Sequence, residues 1–129
     1  MKKVLILAIS VLCLAGCNKS QEPINNNNEL VGTKWMTTGY SSMMSILLGG
    51  TWNKWYEFTS NSTLDCYWTD AHGNIIDSDG EFNYTYNYPD LIVTEKDSEI
   101  TKYVFQDKRS FSYIRPDGSI NKQLTFFKQ

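Results

Sequence analysis

The chain has 129 residues, 41% of them apolar and 14% aromatic, with a formal net charge of −2; this is material for one small domain and not two. No cluster of Lys and Arg offsets the 14 acidic side chains, which argues against a nucleic-acid partner. Of the three cysteines, Cys13 and Cys17 lie near the N-terminus and Cys66 stands apart, so the fold has to stand on its core and not on an internal disulfide.

Met1-Lys2-Lys3 is a basic start and Val4 to Leu12 an apolar stretch, followed by Leu14-Ala15-Gly16-Cys17. The apolar run from Val4 to Gly16 covers 13 residues, short of the roughly 20 that span a bilayer as a helix. It reads as a cleaved signal. Leu14-Ala15-Gly16-Cys17 resembles a bacterial lipobox, which implies cleavage before Cys17 and acylation of that cysteine; an ordinary secretory signal cleaved near Ala15 is the competing reading. The expected division is a signal peptide over 1–16, the lipidated Cys17 with a flexible tether over 17–29, and a folded domain over 30–129. Removing the signal leaves ten basic against fourteen acidic side chains. Two or more acyl chains hold a protein on a membrane without a polybasic patch, so the expected partner is the membrane itself. The lipid on Cys17 is the only attached group expected, with no cofactor.

From Asn18 to Glu29 the chain is polar, with Pro23 and the run Asn25-Asn26-Asn27-Asn28, a composition that predicts disorder. As a flexible tether of this length it holds the domain on the order of 20 Å from the acyl chains. After Leu30, short segments rich in Tyr, Phe, Trp, Thr, Val and Ile alternate with turn chemistry. Strands are expected at Thr33–Gly39, Trp52–Thr59, Thr63–Thr69, Asp79–Tyr86, Leu91–Glu95, Ile100–Gln106, Ser110–Arg115 and Ile120–Phe127. Ser60-Asn61-Ser62, His72-Gly73-Asn74, Tyr88-Pro89-Asp90, Lys96-Asp97-Ser98 and Pro116-Asp117-Gly118-Ser119 supply the turns between them. Eight short strands joined by tight turns make an all-β antiparallel up-and-down meander, and closing it into a barrel removes its exposed edges.

Period-two alternation puts Leu64, Cys66 and Trp68 on one inward face, Phe82, Tyr84 and Tyr86 on another, and Phe111 with Tyr113 on a third. Cys66 then becomes a small buried hydrophobe and not a reactive thiol. One segment departs from the pattern. Tyr40, Met43, Met44, Leu47 and Leu48 fall at helical spacing and Gly49-Gly50 would end them, so one short helix is expected between the first and second strands, lying across a barrel mouth.

Leu30-Val31-Gly32-Thr33-Lys34-Trp35 resembles the opening Leu-x-Gly-Thr-x-Trp of the small lipocalin-like lipoproteins of Bacteroidota. Tyr56-Glu57-Phe58-Thr59-Ser60-Asn61-Ser62-Thr63-Leu64 is similar to their second hairpin, and Gly80-Glu81-Phe82-Asn83-Tyr84 with Leu124-Thr125-Phe126 to later strands. The resemblance covers most of residues 30–128. It implies an eight-stranded lipocalin-like barrel of the calycin type and carries over no catalytic set.

The residues offer little for catalysis. His72 is the only histidine and sits beside a turn glycine, so no His-pair metal site can form. A calcium-loop template from Asp70 to Glu81 places His72 and Ile75 where a ligand and a glycine are needed. Asp77, Asp79 and Glu81 alternate on one expected strand face and read as solvated acids. There is no phosphate loop and no nucleophile elbow, so the chain is read as a non-enzyme without a metal. The aromatics remain. Trp52, Trp55, Tyr56, Trp68, Tyr84 and Tyr88 either fill the core, line a pocket, or lie flat on the surface against sugar rings. Tyr40, Met43, Met44, Leu47 and Leu48 form either a plug that fills the barrel mouth or a lid; as a lid they complete the expected ligand site, over a pocket lined by Trp55, Trp68 and Tyr84 that takes a small apolar or amphipathic molecule. The alternative is an envelope protein-interaction or glycan-contacting module with a filled barrel, which predicts an exposed apolar patch. Location at the outer membrane is expected for the lipidated chain, as a monomer; Asn18-Lys19-Ser20-Gln21-Glu22 lacks the acidic cluster that goes with export to the cell surface in similar Bacteroidota lipoproteins, so the resemblance implies the periplasmic side.

Overall fold

The computed structural model describes residues 28–40 and 50–129. Cys17, most of the expected tether and the segment carrying Met43, Met44, Leu47 and Leu48 lie outside the described residues. The strands are β1 (Lys34–Tyr40), β2 (Trp52–Phe58), β3 (Thr63–Thr69), β4 (Ile75–Asn87), β5 (Asp90–Thr94), β6 (Ile100–Asp107), β7 (Ser110–Ile114) and β8 (Ile120–Lys128). Each pairs antiparallel with the next, and β1 pairs with β8 through Trp35↔Lys128 and Met36↔Phe127, so the sheet closes into an up-and-down barrel. Closure follows from the composition: every connection that the structure describes is a tight turn, and no strand edge is left for water or a second chain to pair with.

The expected strands are present, with two differences. Tyr40 belongs to β1 and pairs with Trp52, so its backbone is extended and not the first turn of a helix; no helix occurs among the described residues. The fourth strand begins at Ile75, four residues before the expected Asp79. Asp77-Ser78-Asp79-Gly80 has turn composition, yet it runs within the ladder because two register shifts absorb it, one between Cys66 and Tyr67 and one between Trp68 and Thr69. Gly80 takes φ +81 there, a conformation that costs an L side chain about 1–2 kcal/mol.

The turns explain the up-and-down order. Asp70 Oδ1 accepts from the backbone N–H groups of His72 and Asn74 at 2.8 and 2.9 Å, Asp107 from Arg109 at 2.7 Å, and Asp117 from Ser119 at 2.9 Å. Each is an aspartate closing its own loop two to four residues on.

The core is a stack of rings. Tyr56, Phe58, Leu64, Cys66, Leu91, Val93, Phe111 and Phe126 are fully buried, with Trp35, Phe82, Tyr84, Tyr103 and Phe105 nearly so. Phe126 stacks on Tyr56 at 4.6 Å and on Phe111 at 4.9 Å, and Trp35 meets Phe105 edge to face at 5.5 Å. Such pairs contribute about 0.5–1.5 kcal/mol each beyond area burial. The Tyr56 and Tyr103 hydroxyls bond each other at 2.9 Å, so two phenols enter the core without an unmet polar atom; burial pushes the Tyr56 phenol well above its ordinary value.

One barrel end is sealed by the segment 28–33, here called the strap. Gly32 N donates to Phe58 O at 2.8 Å and Phe58 N to Thr33 O at 3.0 Å, which draws Leu30 into the core beside Trp35. Asn28 bonds Asn61 and the Tyr84 hydroxyl, and Glu29 holds Tyr86 and Lys108. Asn28 and Glu29, expected in the tether, are therefore part of the barrel's closure.

Candidate functional site

The interior changes character along the barrel axis. Its strap half is apolar and aromatic apart from the paired phenols. Toward the far end, where β1–β2, β3–β4, β5–β6 and β7–β8 connect, the inward positions become partly buried and polar. Lys54 shares the inward face of β2 with Tyr56 and Phe58, and its Nζ lies 5.4 Å from the ring centres of both Tyr56 and Trp68, in cation–π range. Trp52, next on the same face, packs edge to face against Trp68 at 6.4 Å.

Asp79 reaches the same region through the irregularity in β4. It is the extra residue between Gly80, opposite Cys66, and Ser78, opposite Tyr67, and a bulge of this kind re-aims a side chain. Asp79 Oδ2 accepts from Trp68 Nε1 at 3.0 Å and from Cys66 Sγ at 3.5 Å. It therefore does not share a solvated face with Asp77 and Glu81, as simple alternation predicts. Glu95 follows Leu91 and Val93 on the inward side of β5 and accepts from Thr101 Oγ1 at 3.5 Å. Gly80 leaves room for a fourth charged group: a Cβ built there would stand 3.1 Å from Lys96 Nζ. Burial pushes the Cys66 thiol up to about 12; Lys54 opposes the rise, while Asp79 and Glu95 add to it.

The expected pocket residues separate. Trp68 lies in this region. Tyr84 lies at the strap end, where its hydroxyl donates to Ser60 O at 2.6 Å and its ring meets Phe58 at 4.8 Å. Trp55 alternates with Tyr56 and so sits on the outer face, parallel to Tyr67 at 5.9 Å and donating to Thr69 Oγ1 at 2.8 Å. Tyr40 is a β1 backbone position, and Met43, Met44, Leu47 and Leu48 lie outside the described residues.

Lys54, Asp79 and Glu95 were missed by the sequence reading because charged residues in alternating strands are assigned outward. For Lys54 the signal was present, since its parity matches Tyr56 and Phe58. For Asp79 alternation points the wrong way, and only the bulge turns it inward. Among the described residues, no group of three or more His, Cys, Asp and Glu side chains is placed to hold a metal ion. A scan of protein-family models and searches of curated proteins and solved structures find no match to this chain.

Proposed function

We propose that the protein is a non-enzymatic, membrane-anchored lipoprotein whose barrel binds a small amphipathic molecule in the far half of its interior. Anchoring is through acyl chains on Cys17, at the outer membrane and facing the periplasm. The observation that carries the binding reading is the juxtaposition of Lys54, Asp79 and Glu95 with the Trp52 and Trp68 rings inside a small barrel. Partly desolvated charges lower stability where apolar side chains would serve, and departures of this kind concentrate at functional sites. The ligand this lining suits has a polar or charged head for Lys54 and the carboxylates, and a short apolar part for the indoles. A long acyl chain has no room, because the strap half is packed with rings.

The experiment is native mass spectrometry of the full-length protein extracted from membranes. The expected result is an adduct of small mass, lost on denaturation and reduced in Lys54→Ala and Trp68→Ala. A bare protein mass in every extract, with no response of Trp68 fluorescence to amphiphiles, would falsify the reading.

A second reading is favoured by a specific surface. Phe127, Met36, Trp55 and Tyr67 are cross-strand partners on β8, β1, β2 and β3, and form one apolar row on the outside of the barrel. Such a row suits contact with another envelope component, and it is the alternative if the interior proves to bind nothing.

A further inference from the structure

Tyr88, in the β4–β5 turn, and Phe127, near the end of β8, are 44% and 52% exposed, and both belong to the strap end. Basic side chains connect them into an arc. Lys108 Nζ lies 3.9 Å above the Tyr88 ring, Lys128 N bonds Arg109 O at 3.0 Å, and Phe127 is opposite Ser110 in the ladder. The arc therefore runs Tyr88, Lys108, Arg109, Lys128, Phe127 around one side of the rim.

The strap end carries Lys34, Lys108, Arg109 and Lys128 against Glu29, Glu57, Asp65, Glu81, Asp90 and Asp107, and two of those acids are ion-paired, Glu57 with Lys34 and Glu29 with Lys108. The described chain begins at the strap end, at Asn28, and ten residues separate it from Cys17. Fully extended, a segment of ten residues reaches about 35 Å.

We propose that the strap end is a lipid-docking surface: the Tyr88–Phe127 arc rests in the headgroup region of the membrane, and the far end, with Lys54, Asp79 and Glu95, points away into the aqueous compartment. The inference rests on the proposed acylation of Cys17. Exposed aromatic rings flanked by Lys and Arg are side chains of the membrane–water interface, the ring at headgroup depth and the ammonium or guanidinium reaching the phosphates. The tether, joined to the domain at the strap end, favours the same orientation.

The test uses the full-length lipidated protein, reconstituted in vesicles of phosphatidylethanolamine and phosphatidylglycerol doped with nitroxide-bearing phospholipid. Asn87→Cys, beside Tyr88, and Asp97→Cys, at the far end, are labelled in turn with an environment-sensitive fluorophore. Both positions are exposed, and buried Cys66 does not compete for label in the folded protein. The expected result is a blue shift and loss of emission at position 87, neither of them at position 97, and recovery of emission at 87 when Tyr88→Ser and Phe127→Ser are added. Protein that floats with the vesicles but shows no quenching at 87, or equal quenching at both positions, overturns the docking while leaving the anchor intact. Protein that does not float overturns the anchor and the docking with it.

Discussion

Cys66 is the residue where burial, charge and topology meet most directly. Its thiol is fully buried between the aromatic core and the Lys54–Asp79–Glu95 region, and its raised pKa has a consequence for stability. An unfolded thiol ionises near 8.5, whereas the folded one holds its proton to about 12. Between these values the folded state binds more protons than the unfolded state, so stability is intact below about pH 8.5 and falls as pH rises, by about 1.4 kcal/mol per pH unit. Denaturant titrations from pH 8 to 11 should show this slope developing above about pH 9 in the native protein and its loss in Cys66→Ala; an unchanged slope would place the effect elsewhere. The same burial makes the thiol slow to react with an alkylating reagent in the native state and fast in denaturant. Equal rates in the two states would contradict the inward assignment of Leu64, Cys66 and Trp68. That assignment was legible from alternation alone. Asp79 was not, because a bulge breaks the parity on which alternation depends.

At the scale of elements, the strap and the β4 bulge shape the two halves of the barrel. The strap inserts Leu30 into an end that Trp35, Phe58 and Tyr84 already line. Leu30→Ala should destabilise the protein by about 2–5 kcal/mol, the range for a buried leucine, measured by urea denaturation. A change under 1 kcal/mol would mean that the strap lies over the barrel without sealing it. The Glu29 carboxyl is held below its ordinary range, first by the hydrogen bond from Lys108 and then by that from Tyr86. A lowered carboxylate pKa supports the strap above the ordinary glutamate value of about 4.3 and loses that support as pH falls through its folded value. An NMR titration of Glu29 should show a midpoint below 4.3, moving upward in Lys108→Ala. The opening motif Leu30-Val31-Gly32-Thr33-Lys34-Trp35 made β1 legible in the sequence, whereas the contribution of Asn28 and Glu29 was hidden by an asparagine run whose composition reads as tether. Their contacts are with Asn61, Tyr84, Tyr86 and Lys108, distant in sequence and adjacent only once the barrel closes.

Across the whole molecule, closure was legible because eight amphipathic segments with short turns leave few other ways to bury so many rings. The division of the interior was not, since nothing local in the chain says how far the rings extend along the axis. That division leads to a prediction about ligand length. If a small amphipathic molecule enters the far half, its apolar part advances toward Tyr56 and Tyr103, whose hydroxyls bond each other and whose rings pack on Phe126 and Phe111. Each methylene accommodated before that layer should contribute about 0.8 kcal/mol, roughly a fourfold gain in affinity, and each one beyond it should contribute nothing. Calorimetric titration with a series of n-alkyl carboxylates should therefore show affinity rising over the first few carbons and then levelling. Phe126→Ala, at a cost of about 3–5 kcal/mol in stability, removes part of the layer and should move the plateau to longer chains. A rise that continues through long acyl chains in the unmutated protein would show that the ring layer opens and that the strap half is no fixed base. Absence of binding at every length would remove the interior from consideration and leave the outer row of Phe127, Met36, Trp55 and Tyr67 as the contact surface.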